Sequence, residues 1–177
     1  GEDTASPSTY RPVAVYASDV NGDGITELPR AVLMAGYKDT SSSDAVYMLD
    51  WYAYGIGKVP TKVATTYQNI SDAWSLLIDQ KWHDRITAIK VSDGGLSYVE
   101  FFEYRKNKMS IPLFNIYGAT GSNREYYAER TDLIQLGQTT QAIYFAKLTN
   151  EGEQSELALT GDEIKARFSL VNQAWNN

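Results

Sequence analysis

The chain has 177 residues, no cysteine, thirteen tyrosines, four tryptophans and a formal net charge of -6. Those totals exclude disulfides, thiolate metal sites and cysteine nucleophiles, and they weigh against nucleic acid, because phosphate recognition needs a dense basic patch. The length allows one sizeable core or two small lobes, and no apolar run approaches the ~18 residues needed to span a bilayer.

Gly1 in place of Met, followed by polar Glu2 to Thr9, reads as a trimmed start. Residues 1–10 are expected to form a flexible linker, of the kind left when a signal or lipoprotein peptide is removed. Val13 to Ser18 is predicted as a strand from its β-branched and aromatic content. The nine residues Asp19-Val-Asn-Gly-Asp-Gly-Ile-Thr-Glu27 follow, and Leu28 to Met34 is the next apolar run, with Pro29 near its start. Ala45 to Tyr54 is a strongly aromatic strand. Alternation places Tyr47, Leu49 and Trp51 on one face and Met48, Asp50 and Tyr52 on the other. After a turn at Gly55-Ile-Gly57-Lys58, Val59 to Asn69 returns, so that residues 11–70 are expected to form a four-strand meander.

Residues 71–177 form the second section. Strands are predicted at Ala73 to Ile78, Ile86 to Val91, Ser97 to Arg105 and Ile111 to Tyr117. A helical turn is expected over Arg124 to Arg130, and a hairpin joins Asp132 to Leu136 with Ala142 to Leu148. Thr160 with Glu163 has the spacing of a capping box. Ile164, Phe168, Val171 and Trp175 then recur at helical spacing, which predicts a C-terminal amphipathic helix lying across a sheet. The expected fold class is α+β, mostly antiparallel, with the two sections packed as one compact unit.

Within the acidic stretch, oxygen-bearing side chains stand at Asp19, Asn21, Asp23 and Glu27, and Gly22 and Gly24 let the backbone curl so that they converge. Such a set suits a hard cation, calcium before magnesium, because several protein oxygens on a flexible loop favour the larger ion. An EF-hand would need an acid at the twelfth position from Asp19, where Arg30 stands. Asn-Gly and Asp-Gly also form tight turns without any metal. Three carboxylates crowded into nine residues repel one another, however, and a bare turn gains nothing from that. The pattern resembles the calcium loops of FG-GAP and integrin-like β-propeller repeats, although only one copy is present. That resemblance implies side-chain ligands from Asp19, Asn21, Asp23 and Glu27, a backbone carbonyl from Ile25, and a structural Ca2+.

Catalytic constellations are sparse. The single His83 lies in Trp82-His83-Asp84 with no Gly-x-Ser-x-Gly elsewhere, and Gly118 to Ser122 lacks the lysine of a phosphate loop. Glu100 and Glu103 fall on opposite faces of one strand, and Asp50 would meet Glu100 only if the fold brought them together. The aromatic residues Trp51, Tyr52, Tyr54, Tyr126 and Tyr127 are candidates for a ligand-binding platform. From Ala73-Trp-Ser-Leu-Leu-Ile-Asp-Gln-Lys-Trp82 through the late hairpin to Trp175, the second section is similar to PsbP-type domains, with Asp79 where those domains carry a proline. The combination resembles secreted lipoproteins of Gram-positive bacteria. Together these likenesses imply a non-catalytic, extracytoplasmic binding or structural module with a protein or glycan partner. The alternative is a glycan hydrolase using paired carboxylates.

Overall fold

A computed structural model describes residues 13–41, 43–93 and 96–171. Among these residues, alternating apolar positions build ten strands: β1 (Leu28–Leu33), β2 (Tyr47–Ala53), β3 (Thr61–Asn69), β4 (Trp74–Leu77), β5 (Ile86–Asp93), β6 (Leu96–Arg105), β7 (Lys108–Thr120), β8 (Ile134–Gln138), β9 (Ala142–Leu148) and β10 (Phe168–Leu170). They form two five-stranded sheets, ordered β1-β2-β3-β4-β10 and β5-β6-β7-β9-β8, with every pairing antiparallel. Three short helices, α1 (Asn123–Ala128), α2 (Asn150–Glu153) and α3 (Gly161–Arg167), occupy the connections. The fold is therefore mainly β, which corrects the α+β expectation. Among the described residues, no helix is long and apolar enough to cross a membrane.

The two sheets share one core. Rings from both interlock in a continuous series. Trp74 lies 5.5 Å from Tyr67, Tyr67 meets Phe101 edge-on at 5.4 Å, Phe101 stacks on Phe114 at 4.8 Å, and Phe114 lies 5.7 Å from Trp82. Aromatic pairs at such spacings add to the burial of their large surfaces. The Trp82 indole N–H donates to the Leu157 carbonyl at 2.8 Å, so its one polar atom is satisfied at zero exposure. The Tyr67 hydroxyl, by contrast, is buried without a partner.

The C-terminal helix departs most from its predicted form. The capping box is present: Thr160 Oγ1 accepts from the Glu163 N–H at 3.2 Å, and Glu163 accepts from the Thr160 N–H at 2.8 Å. Yet α3 ends at Arg167, and Phe168 turns extended and pairs with Leu76 as the start of β10. Of the predicted stripe, only Ile164 is buried from the helix. Phe168 is buried from a strand, stacked 5.8 Å from Trp74. A helix of seven residues gains little on its own, whereas β10 supplies the otherwise open side of β4 with a hydrogen-bonding neighbour. Trp175 lies outside the described residues.

A second correction concerns Val13 to Ser18, which makes one bridge, Ser18 to Glu27, rather than a strand. Those two residues exchange both backbone hydrogen bonds, at 3.0 and 3.1 Å. The next hydrogen-bonded pair of such a ladder would set Tyr16 against Pro29, and proline has no N–H to donate. The fourth strand of the N-terminal meander is β4 instead, and β10 returns the chain to the same sheet.

Gly152 in α2 is buried against β7 and donates its N–H to Thr149 Oγ1 at 2.9 Å. A Cβ at this position would overlap the Leu113 carbonyl and the Thr149 hydroxyl. Gly152→Ala is expected to cost about 1–3 kcal/mol through overpacking. A melting curve checks this, with an unchanged midpoint as the contrary result.

Candidate metal centre and aromatic cleft

The Asp19 to Glu27 loop is organised by its own side chains. Asp19 Oδ1 accepts from the N–H groups of Gly22 and Asp23 at 2.7 and 3.2 Å, and Oδ2 accepts from Gly24 at 2.8 Å. Asn21 Oδ1 accepts from the Asp23 N–H at 3.0 Å, and Asp23 Oδ1 from the Ile25 N–H at 2.8 Å. Gly22 and Gly24 have φ of +76° and +83°, the left-handed region that other residues rarely enter. No neighbour crowds either glycine, so the need is conformational. The backbone N–H of Gly24, with those of Gly22, Asp23 and Asn21, holds the Asp19 carboxyl below its ordinary pKa against a smaller opposing effect of desolvation. Asp19 therefore stays anionic in mild acid. Its contribution to folding is present above the unfolded-state pKa and is lost as the pH falls through the lowered folded value.

Glu27 closes the loop from inside the protein. It is 0% exposed, and its Oε2 accepts from the Val20 N–H at 2.9 Å. Its Oε1 is buried and has no hydrogen-bond partner. Carboxylate oxygens of Asp19, Asp23 and Glu27 all lie within 4.8 Å of one another. Oxygens bound to one calcium at 2.3–2.6 Å can stand at most about 5 Å apart, so the three fit a single ion. A buried carboxylate oxygen with nothing to bond is costly unless an ion or a donor meets it. The residues present thus fit a hard cation. Asn21 lies in the same loop, with its Nδ2 donating to Asp23 Oδ2 at 2.9 Å.

The five aromatic candidates separate. Trp51 is 1% exposed, its indole N–H donating to Thr66 Oγ1 at 2.8 Å, so it offers no face to a ligand. Tyr52 is half-buried, whereas Tyr54 is exposed beyond the end of β2. Tyr126 and Tyr127 lie on α1 against the other sheet, and no single platform joins all five.

Tyr127 has partners that alternation alone does not place beside it. It lies 6.3 Å from Tyr117, which stacks on Tyr98 at 4.9 Å, while the Arg130 guanidinium sits 5.7 Å from the Tyr127 ring centre. These residues line a cleft of about 260 Å³ together with Leu96, Leu133 and Lys147. Arg130 bonds Asp132 through two nitrogens at 2.8 and 2.5 Å, and Lys147 reaches the same carboxylate at 3.5 Å. The Arg130 hydrogen bonds hold the Asp132 pKa down to about 2. The missed signal is the placement of Tyr98 and Tyr117 on the same face of adjacent strands, paired directly in register.

Neither candidate carboxylate pair is brought together. Glu103 is fully buried, bonded by Arg105 Nε and by Ser155 Oγ, while Glu100 points to the opposite face. Asp50 belongs to the other sheet and accepts from Thr65 Oγ1 at 2.6 Å. Among the described residues lining a larger cleft of about 800 Å³, the one acid is Asp79, already bonded to Arg167 at 2.6 Å. His83 is exposed beside Asp84 at 3.0 Å.

No family model, curated protein or solved structure matches the chain.

Proposed function

We propose that the chain is a non-catalytic, extracytoplasmic binding or structural module whose Asp19 to Glu27 loop holds one structural calcium ion. The observations that support the metal reading are the buried, unpartnered Oε1 of Glu27 and the approach of carboxylate oxygens of Asp19, Asp23 and Glu27 to within 4.8 Å of one another. In the bound state Asp19, Asn21, Asp23 and Glu27 supply side-chain oxygens and Ile25 its carbonyl. The ion then ties the start of β1 to the preceding segment across the Ser18–Glu27 bridge. The extracytoplasmic placement rests on the likeness to secreted lipoproteins and fits a loop built for calcium of ordinary extracellular availability.

The binding reading is supported by the cleft at Tyr98, Tyr117 and Tyr127, where aromatic walls adjoin the Arg130–Asp132–Lys147 cluster. Aromatic walls with a few placed polar groups are the usual make-up of a site for a glycan or a peptide. Calorimetric titration of the metal-stripped protein with calcium tests the cation. One ion should bind per chain, and Glu27→Gln, which keeps the side chain's shape but removes its charge, should weaken binding at least tenfold. Absence of binding to the wild type, or an unaltered affinity in Glu27→Gln, would overturn the reading.

A further inference from the structure

The cleft between α1 and the second sheet has a charge of its own. Among the described residues that line it there are two cations, Arg130 and Lys147, and no acid. The whole chain, by contrast, carries a net charge of -6. Asp132 is not part of the lining, although it bonds two nitrogens of Arg130 and meets Lys147 at 3.5 Å. A guanidinium has five N–H donors and an ammonium three. One carboxylate therefore neither neutralises the two cations nor uses all their donors. Glu100, two residues from Tyr98 on β6, accepts from Asn115 Nδ2 at 3.4 Å and does not line the cleft either. The remaining walls are Leu96, Leu133 and the rings of Tyr98, Tyr117 and Tyr127, which follow one another at tilts of 29° and 21°. All of these residues are half-buried, so whatever enters stays partly wet.

We propose that this cleft binds an acidic saccharide, taking one hexuronate ring among the three tyrosines with its carboxylate against Arg130 and Lys147. The proposal rests on the reading of the cleft as a binding site and names its ligand. Tyrosine offers an apolar ring to the C–H bonds of a sugar and a hydroxyl to its O–H groups. The spare donors of the two cations supply what a carboxylate needs. The volume of about 260 Å³ falls below the roughly 300–1,000 Å³ of sites for drug-sized ligands, so one ring-sized unit fits. An extended peptide finds no backbone here. Such peptides add a strand to a sheet edge, whereas Tyr98 and Tyr117 stand on β6 and β7, each already paired on both sides. A saccharide needs only side chains. A quaternary ammonium, another guest of clustered aromatic rings, is repelled by both cations. An aromatic acid gains chiefly by leaving water, and half-buried walls leave it wet.

The test is calorimetric titration of the full chain with short oligosaccharides of glucuronate, galacturonate and mannuronate. Oligomers of glucose, galactose and mannose serve as their uncharged counterparts. At least one acidic oligomer should bind about tenfold more tightly than its neutral counterpart, the difference that one charge-assisted hydrogen bond makes. Added salt should narrow that gap. Lys147→Gln should weaken the acidic oligomer about tenfold and leave the neutral one unchanged, and Lys147→Arg should restore the difference. Neither variant should shift the melting curve, because a half-exposed ion pair adds little to folding. Equal binding of acidic and neutral oligomers, or an unaltered gap in Lys147→Gln, would overturn the proposal while leaving the cleft a binding site. Tighter capture of a glutamate-rich peptide or of benzoate than of any saccharide would do the same. If none of these probes binds, the binding reading falls together with the proposal. Uronates also chelate calcium, so each titration is repeated in EDTA. Binding that is lost in EDTA and indifferent to Lys147→Gln would put the saccharide on the ion of the acidic loop, again against the proposal.

Discussion

Calcium at a hundredfold excess over its dissociation constant is expected to raise the melting temperature by roughly 5–11 °C over the protein in EDTA. Binding to the folded state alone stabilises it by about 2.7 kcal/mol at that excess, and each kcal/mol moves the midpoint of a domain this size by about 2–4 °C. The loop in the unfolded chain cannot assemble the site, because Glu27 joins Asp19 and Asp23 only when its side chain is buried. Asp23→Ala should abolish the calcium-dependent rise. The rise should also fade in acid, since ligand carboxylates must be ionised to hold the ion. Differential scanning of both proteins, with calcium and with EDTA, decides the matter. Identical wild-type curves in the two conditions would leave Glu27 Oε1 as an unexplained buried oxygen and remove the basis for a cation.

Phe101→Ala should produce the largest loss of stability, about 3–5 kcal/mol, the usual range for removing a buried phenylalanine. Its ring is fully buried between Tyr67 of the first sheet and Phe114 of the second, meeting one edge-on and the other stacked. Deleting it opens a cavity where the sheets lock together, and neither neighbour can fill the gap without leaving its own partner, Trp74 or Trp82. Equilibrium denaturation measures the cost. Tyr67→Phe supplies the contrast. Its hydroxyl is buried without a hydrogen bond, and burial pushes its pKa well above the tyrosine range. Removing that oxygen takes away an unmet desolvation cost while keeping the ring. Tyr67→Phe should therefore be at least as stable as the wild type, and a loss above about 1 kcal/mol would mean that the hydroxyl has a partner after all.

The strands from β2 to β9 were legible because alternation and turn residues are local signals. The late hairpin, the α1 turn and the capping box at Thr160 were readable on the same ground. Ile164, Phe168 and Val171 fit a helical stripe in the sequence, but α3 stops at Arg167 because the edge of β4, remote in sequence, takes up Phe168 as a strand. Val13 to Ser18 reads as a strand by composition, yet it makes a single bridge because of Pro29. Its consequence depends on which residue stands opposite, and only the Ser18–Glu27 register shows that.

What the sequence determined by itself is the chemistry confined to a few residues: three carboxylates and an amide within nine positions, glycines where the backbone turns left-handed, and a helix start marked by its cap. Chain geometry over such short spans leaves few arrangements, so composition nearly decides them. Tertiary structure alone decided that Glu27 is buried with one oxygen unmet, that Trp51 faces inward, and that Tyr127 joins Tyr117 and Tyr98. It also left Ile56 with no cover at all. Those outcomes depend on which strands become neighbours, and that choice is made by the burial of the whole aromatic core rather than by any residue's own preference.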